Sequence, residues 1–281
     1  MAIELLGINP VRGRAVLLKP NFSTADPFPA STHNDALRHL VRCLGQMGSG
    51  PITVGERAGP PPPTHEVIRA KGIDRFCQEL GVDLFDFETL PETEWQRVRP
   101  PASHWRDGFD VPAPLLRAES VVCTCCLKTH RYGGVFTMSL KLGVGFVHKR
   151  QMRELHGAGR HMRKMIAEIN QVYRPALIVM DGNEVFVDGG PMQGVKKSAG
   201  VKVAGTDRVA VDAVGLAVLK ELGANRAIME QPIFAQEQIA RAVELKLGVA
   251  GPGAIDIVTS DRQSRDYGDR LAAILQGEAA G

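Results

Sequence analysis

The chain has 281 residues, of which 44% are hydrophobic and 23% are charged, and its formal net charge is +3. This length can bury a sizeable core, and the composition is that of a soluble globular protein. The small net charge argues against a nucleic-acid-binding surface and is compatible with small anionic ligands. No apolar run reaches the length of a membrane span, and the N-terminus lacks a secretory signal. We therefore expect a cytoplasmic protein with neither a membrane nor a nucleic-acid partner.

Strands and helices alternate along the chain, which predicts an α/β fold of mostly parallel sheets flanked by helices. Residues 14–19 and 52–56 are predicted strands joined by a helix over 34–47, and such a βαβ unit places its two strands in parallel. We expect either two lobes, residues 1–118 and 119–281 with the site between them, or one continuous domain. Further strands are predicted at 83–87, 176–182, 201–207 and 255–261, and a turn-rich loop at 185–194. Further helices are predicted from about residue 65, capped by Thr64, and over 158–173, 208–222, 233–247 and 265–276.

Three of the five cysteines, Cys123, Cys125 and Cys126, lie almost side by side. Cysteines this close together do not form a disulfide framework, so they fit a reducing compartment. On an extended strand Cys123 and Cys125 share one face while Cys126 points the other way. One interpretation is that the thiols are small buried core groups. The other is that Cys123 and Cys125 bind a soft metal with partners from elsewhere, although the ferredoxin spacing is absent.

Polar side chains follow two of the predicted strands. Lys19 and Asn21 come at the end of the first strand, where they could contact an anion. Lys128 and His130 come just past the strand that contains the cysteines. Open α/β sheets place ligands at the carboxyl ends of their strands, which makes these groups candidates for catalysis or binding. A lone histidine is more commonly a surface or core residue without such a role.

Lys141 lies in an otherwise apolar segment with glycines on its C-terminal side. Desolvation would lower the pKa of a lysine there, making it a candidate nucleophile, cofactor tether or phosphate ligand. The alternative is a lysine whose stem packs on the core while its amine reaches water. Asp181 and Asp188 each precede a glycine and could bind a metal or a ribose hydroxyl, but Asp-Gly pairs are also common in turns.

Taken together, these motifs resemble the domain of unknown function 362 family, a bacterial and archaeal group with no established general activity. They occur in the family's order and span almost the whole chain. This chain has Cys-Thr-Cys-Cys where the family usually has a proline-containing apolar run, and it lacks the ferredoxin module of some members. The matching segments are VLLKPNF (16–22), ITVGE (52–56), CLKTH (126–130), MSLKLG (138–143), VMDG (179–182) and GTDRVAVDAVG (205–215).

The order of elements is also similar, more distantly, to that of the nickel-pincer lactate racemase family. This resemblance implies that Lys141 holds the nickel-pincer nucleotide and that His130 and His156 ligate nickel or move protons. The other positions that it implies are His65, Gly133 and Gly134.

We therefore expect a metal- or metallocofactor-dependent enzyme, of isomerase, racemase or redox type, that acts on a small anionic substrate bearing a hydroxyl or carboxylate group. In such an enzyme His130 and His156 are the candidate metal ligands. The alternative is a metal or iron–sulfur carrier that serves a redox partner, with Cys123, Cys125 and His130 as the candidate ligands. A third possibility is a domain that has lost its ancestral activity. The expected catalytic residues are His130, His156 and Lys141. The expected substrate or cofactor contacts are Lys19, Asn21, His65, Lys128, Gly133, Gly134, Asp181 and Asp188.

Overall fold

The main sheet has seven strands, six of them in the order β3–β2–β1–β6–β8–β9, with β7 paired to the end of β6. The computed structural model describes residues 2–59 and 61–277. A separate two-stranded sheet joins β4 to β5. The strands are β1 (Val16–Lys19), β2 (Ile52–Glu56), β3 (Asp83–Asp86), β4 (Trp95–Val98), β5 (Phe109–Pro112), β6 (Ser120–His130), β7 (Val135–Thr137), β8 (Pro175–Gly189) and β9 (Gly194–Gly205).

Helices cover the main sheet, and none among the described residues is long and apolar enough to cross a membrane. The N-terminal helices are α1 (Asn34–Gln46), α2 (Thr64–Lys71), α3 (Ile73–Leu80) and α4 (Ala113–Arg117). The remaining helices are α5 (Ser139–Leu142), α6 (Met152–Gly157), α7 (Met162–Ile169), α8 (Arg208–Glu221), α9 (Arg226–Met229), α10 (Glu237–Glu244) and α11 (Arg262–Leu275).

The pairing confirms a mostly parallel sheet flanked by helices. β1 runs parallel to β2 and to β6, β2 parallel to β3, and β6 parallel to β8, whereas β7 and β9 are antiparallel to their neighbours. The strand order changes direction between β1 and β6, because the chain moves outward from β1 to β3 and then returns to the other side of β1. In open α/β sheets such a switch point opens a crevice at the carboxyl ends of the two strands.

Strand alternation divides the core between the two faces of the sheet. Leu18 and Val122 pack with the helices α1, α2 and α3 in one hydrophobic cluster. Leu17, Cys123 and Cys125 belong to the other cluster, which also contains residues of α7, α8, α10 and α11. Strands β1 and β6 are therefore buried on both faces, as parallel strands require, and their carboxyl ends are held firmly.

The helix over 208–222 is confirmed as α8, and Asp207 caps it as expected by accepting from the backbone N–H groups of Val209 at 2.8 Å and Ala210 at 2.9 Å. Thr64 is not the cap of α2. It is the first residue of that helix, and its hydroxyl accepts from the backbone N–H of Ala58 at 2.9 Å instead. The helix expected over 158–173 is shorter, because 3₁₀ turn replaces its first part before α7 begins.

Several boundaries in the second half differ from the sequence expectations. β6 continues to His130 because β7 pairs with its last three residues, so Lys128 and His130 lie inside the strand and not past it. Residues 185–189, expected as loop, belong to β8, which forms a long antiparallel hairpin with β9. Asp181 consequently lies within β8, next to an irregularity between Gly182 and Glu184. Residues 255–261 lie in irregular chain, although they were expected to form a strand.

Leu18 offers a test of the central position of β1. Its side chain is fully buried between the sheet and the helices, so Leu18→Ala should lower the free energy of unfolding by about 2–5 kcal/mol. Leu116→Ala is the matched control, because Leu116 is 39% exposed and should lose only about 0.5 kcal/mol. Equilibrium unfolding in urea measures both values, and equal losses would contradict the burial of β1.

Candidate functional site

Four basic side chains approach one another at the carboxyl ends of β1, β2 and β6. They are Lys19, Arg57, Lys128 and Lys141, and we call them the cationic cluster. Lys19 is the last residue of β1, Arg57 directly follows β2, and Lys128 lies near the end of β6. Lys141 comes from α5, and the charges of Lys128 and Arg57 both act on its amine. The cluster therefore occupies the switch point of the sheet, where a ligand is expected.

Among the described residues, Lys19 is the member of the cluster that forms an ion pair with a carboxylate. It is 1% exposed, forms an ion pair with Glu56, and donates to the backbone oxygen of Pro20 at 2.7 Å. Burial lowers the pKa of Lys19, and the charge of Glu56 opposes that shift. The Glu56 carboxylate also accepts from the backbone N–H groups of Phe22 at 2.7 Å and Arg57 at 2.9 Å. One buried ion pair thus fixes the start of the loops that follow β1 and β2.

A glycine covers this ion pair. A Cβ atom on Gly145 would lie 2.7 Å from Lys19 Nζ and 3.1 Å from Glu56 Oε1, so only glycine permits the approach. The ring of Phe146 lies with its centroid 5.8 Å from the same amine. The segment after α5 therefore closes over Lys19 and excludes water from the pair.

Arg57 and Lys128 are buried without a hydrogen-bonded carboxylate among the described residues. Arg57 donates to the backbone oxygens of Ala58, at 2.6 Å, and Val144, while its Nε has no partner in the described chain. Burial lowers the pKa of Arg57 to about 10. Lys128 donates to the backbone oxygen of Ala30, and burial lowers its pKa too. Donor capacity remains on both side chains, which favours an anion beside them.

Asn21 supports Lys128 from the loop after β1. Its side-chain amide donates to the same Ala30 oxygen at 3.2 Å, and its backbone N–H donates to the hydroxyl of Thr32 at 2.9 Å. Asn21 is 6% exposed. It therefore positions Lys128 through Ala30 and forms part of the wall of the site.

Lys141 is the least constrained amine of the cluster. Its side chain is partly buried, and its Nζ makes no hydrogen bond or ion pair with residues 2–59 or 61–277. Burial, reinforced by the positive charges of Lys128 and Arg57, lowers its pKa to about 8. The backbone below it is fixed, because the buried carboxylate of Asp212 accepts from the N–H groups of Ser139 at 2.8 Å and Leu140 at 2.9 Å.

His130 presents a neutral ring to the site. It is 7% exposed, and burial together with the charges of Lys141 and Lys128 lowers its pKa to about 2. The backbone N–H of Gly134 donates to its Nδ1 at 3.3 Å, so Nδ1 carries the lone pair. The remaining proton of the neutral ring is then on Nε2, which makes His130 a hydrogen-bond donor.

His156 has the opposite tautomer. Its Nδ1 lies 2.7 Å from the backbone oxygen of Met152, which can only accept, so Nδ1 carries the proton and Nε2 the lone pair. Its ring is exposed on α6, close enough to His130 to contribute to the lowered pKa of that ring. The two histidines therefore offer one N–H donor and one proton acceptor.

Gly134 brings His130 and Lys141 together. A Cβ atom there would lie 2.9 Å from His130 Nδ1 and 3.1 Å from Lys141 Cε, so both side chains lie against this glycine. The preceding Gly133 adopts a φ of +82°, which favours glycine in the turn between β6 and β7. Both glycines expected at the site thus shape it through the backbone.

The cysteines lie in the core, and no described group of three or more His, Cys, Asp or Glu residues is arranged to hold a metal ion. Cys123 and Cys125 belong to one hydrophobic cluster, whereas Cys126 contacts Asn21 on the other side of the strand, as alternation predicts. Burial raises the pKa of all three thiols, that of Cys123 to about 11. Neutral thiols are poor metal ligands and poor nucleophiles.

The remaining candidates lie outside this constellation. Asp181 forms an ion pair with Lys202 on the neighbouring strand β9. Asp188 is exposed at the end of β8 and accepts from the Asn225 side chain at 3.1 Å. His65 is exposed on α2. The structure assigns both carboxylates contacts within the fold itself.

Sequence reasoning missed two residues of the site, Glu56 and Arg57. Glu56 is the last residue of β2, as Lys19 is of β1, and Arg57 directly follows it. That position was the available signal, because adjacent parallel strands end at the same edge of the sheet.

Comparison with known proteins identifies a family and a solved structure that is distantly similar. The family described as "Domain of unknown function (DUF362)" matches residues 16–217. Among solved structures, the lactate racemase apoprotein from Thermoanaerobacterium thermosaccharolyticum is similar, with a TM-score of 0.47 and 12% identity, over 72% of this chain and 48% of that chain. The present chain thus spans about half the length of that structure. No curated protein matches.

The amine of Lys141 should react with an acylating reagent with a pH profile centred near its pKa of about 8. Lys128→Met removes a neighbouring positive charge, so it should move that profile to higher pH. Lys202→Met is the matched control, because Lys202 forms an ion pair with Asp181 and its charge is not among those that lower the pKa of Lys141. Peptide mass spectrometry after brief labelling measures the profile, and one that Lys128→Met leaves unmoved would contradict the assigned proximity.

Proposed function

The chain belongs to the DUF362 family of domains of unknown function, and we propose that it is an enzyme that binds a small organic anion at the cationic cluster. The substrate would carry a hydroxyl or carboxylate group, and the chemistry would be of isomerase, racemase or redox type. One observation carries the proposal: Arg57, Lys128 and Lys141 converge at the switch point without a hydrogen-bonded carboxylate among the described residues.

Burying the cations of the cluster costs free energy. Removing a cation from water costs several kcal/mol unless an opposite charge and hydrogen bonds replace the water. Glu56 does this for Lys19. For Arg57 and Lys128 the oxygen atoms that accept hydrogen bonds are backbone carbonyls, and the carboxylates of Glu88 and Asp26 act on them only through their charges. A bound carboxylate would supply that opposite charge and accept from the donors that have no partner.

The histidines would supply the acid–base chemistry. The Nε2–H of His130 would donate to the substrate oxygen, and a neutral imidazole does so without adding another cation beside Lys141. The Nε2 lone pair of His156 would accept a proton from the substrate. Such a donor and acceptor together suit the removal and return of a proton at a carbon next to a polarised oxygen.

The same residues can be tested for their fit to a metallocofactor. The imidazole of His156 and the amine of Lys141 are donors that fit an organic cofactor carrying its own metal ligands. A bare ion fits less well, because the described residues include no group of three suitable ligands. When bound, such a cofactor would supply a hydride or electron acceptor, while Lys141 would hold it and Arg57 and Lys128 would bind the substrate anion.

An iron–sulfur carrier has less support. Cys123 and Cys125 lie in the hydrophobic core with protonated thiols, and the structure does not gather them with His130 into a ligand group. Measurements of carboxylate binding and of cofactor content are therefore the tests that follow.

Calorimetric titration with L-lactate and with pyruvate tests anion binding. Lys128→Met should weaken binding at least about tenfold, which corresponds to about 1.4 kcal/mol, because a charge-assisted contact is lost. Lys202→Met should bind like the wild type. The proposal fails if neither acid binds the wild-type protein, or if Lys128→Met binds as tightly as the wild type.

Proton exchange tests the roles of the histidines. Protein purified without oxygen, with its metal content measured, should replace the C2 hydrogen of lactate by deuterium in heavy water, as followed by proton NMR. His156→Gln should abolish the exchange because the accepting lone pair is lost, and His130→Gln should slow it while leaving His156 in place. Exchange at the wild-type rate in His156→Gln would contradict the assignment of the base.

A further inference from the structure

We infer that Lys141 is a nucleophile that forms an imine with the carbonyl carbon of a small 2-oxo acid. The inference deepens the proposed function and rests on it, since the same cationic cluster would hold the carboxylate of that acid; it assigns the Lys141 amine to the substrate in place of a cofactor. It narrows the substrate class from organic anions in general to those with a carbonyl group next to the carboxylate.

The first support is the contrast between the three lysines of the cluster. The amine of Lys19 is bound by Glu56 and Pro20, and that of Lys128 by Ala30. The amine of Lys141 has no bonding partner among the described residues. The amines of Lys19 and Lys128 are thus bound within the fold, whereas the amine of Lys141 is available to react.

The second support is the rigidity of the element that carries Lys141. Asp212 holds the N-terminus of α5 through two backbone hydrogen bonds, and Asn170 donates to the backbone oxygen of Leu140 at 2.9 Å. A fixed backbone directly below an unbound amine is what a reactive lysine needs, because the nucleophile must meet its target in one orientation.

The third support is the arrangement around the amine. Arg57 and Lys128 act on Lys141 electrostatically, and both have donors to spare for a carboxylate. His130 lies against the same glycine as Lys141 and presents its N–H. A 2-oxo acid anchored by its carboxylate would therefore place its carbonyl carbon at the amine and its carbonyl oxygen near an N–H donor.

The step conserves atoms and involves no oxidation. The nitrogen lone pair forms a C–N bond while the carbon–oxygen π bond breaks, and the oxygen takes up a proton to give a carbinolamine. Loss of that oxygen as water, with the second proton of the amine, gives the imine. The unprotonated amine that begins the sequence is accessible near neutral pH, because burial and two neighbouring cations lower the pKa of Lys141 to about 8.

Borohydride trapping tests the imine. The full-length protein is incubated with pyruvate and sodium borohydride, and intact and peptide mass spectrometry are then recorded. We expect one adduct per chain, with the mass of pyruvic acid less one oxygen atom, located on Lys141. Lys141→Arg, which retains the charge but cannot form the imine, should show none, and Lys202 in the same sample serves as an internal exposed lysine.

The outcomes separate this inference from the proposed function. Trapping at Lys141 that excess lactate suppresses would support both. Calorimetric binding of pyruvate without any adduct would overturn the imine while leaving anion binding intact. Equal labelling of Lys141 and Lys202 would overturn the imine as a property of this site, and an absence of any binding would overturn the proposed function itself.

Discussion

The buried ion pair between Lys19 and Glu56 is the contact on which the geometry of the site depends. It joins the carboxyl ends of β1 and β2, and Glu56 uses its remaining acceptor capacity on the backbone of Phe22 and Arg57. The loops that leave both strands therefore start from fixed positions. Gly145 covers the pair at a distance that only glycine allows, which brings the segment following Lys141 onto the same edge. Breaking such a pair is costly because one charge stays buried.

Beside this ion pair lie three cations without a hydrogen-bonded carboxylate among the described residues, and Glu88 and Asp26 act on Arg57 and Lys128 only through their charges. The side chains of Arg57 and Lys128 are held by backbone oxygens, and Lys141 is held by none of the described residues. Burial, together with the charges of Lys141 and Lys128, lowers the pKa of His130 and keeps its ring neutral. A ligand that brings a negative charge would meet a donor at His130 and an acceptor at His156. Stability and binding are linked here, because a ligand that binds only the folded state stabilises it.

Position along the strands predicted Lys19, Lys128 and His130 as site candidates, because parallel strands deliver their last residues to one edge, whereas Lys141 was predicted from its apolar surroundings in the sequence. The same rule could have included Glu56 and Arg57, whose place at the end of β2 carries the same information. The closely spaced cysteines suggested a metal site, yet alternation along β6 buries Cys123 and Cys125 in one hydrophobic cluster. The features that could not be predicted from the sequence depend on pairing between segments that are distant along the chain. β7 extends β6 through His130, β9 extends β8 past Asp181, and the tautomers depend on which backbone groups the two rings meet.

Binding of an organic carboxylate at the cationic cluster can be seen in a crystal structure of the protein soaked with L-lactate, which locates the ligand without relying on turnover or on a cofactor. We expect carboxylate density within hydrogen-bonding distance of Lys128, Lys141 or the Nε of Arg57. A saturating soak that leaves the cluster without lactate, or that places it only against another surface of the protein, would contradict carboxylate binding at the cluster.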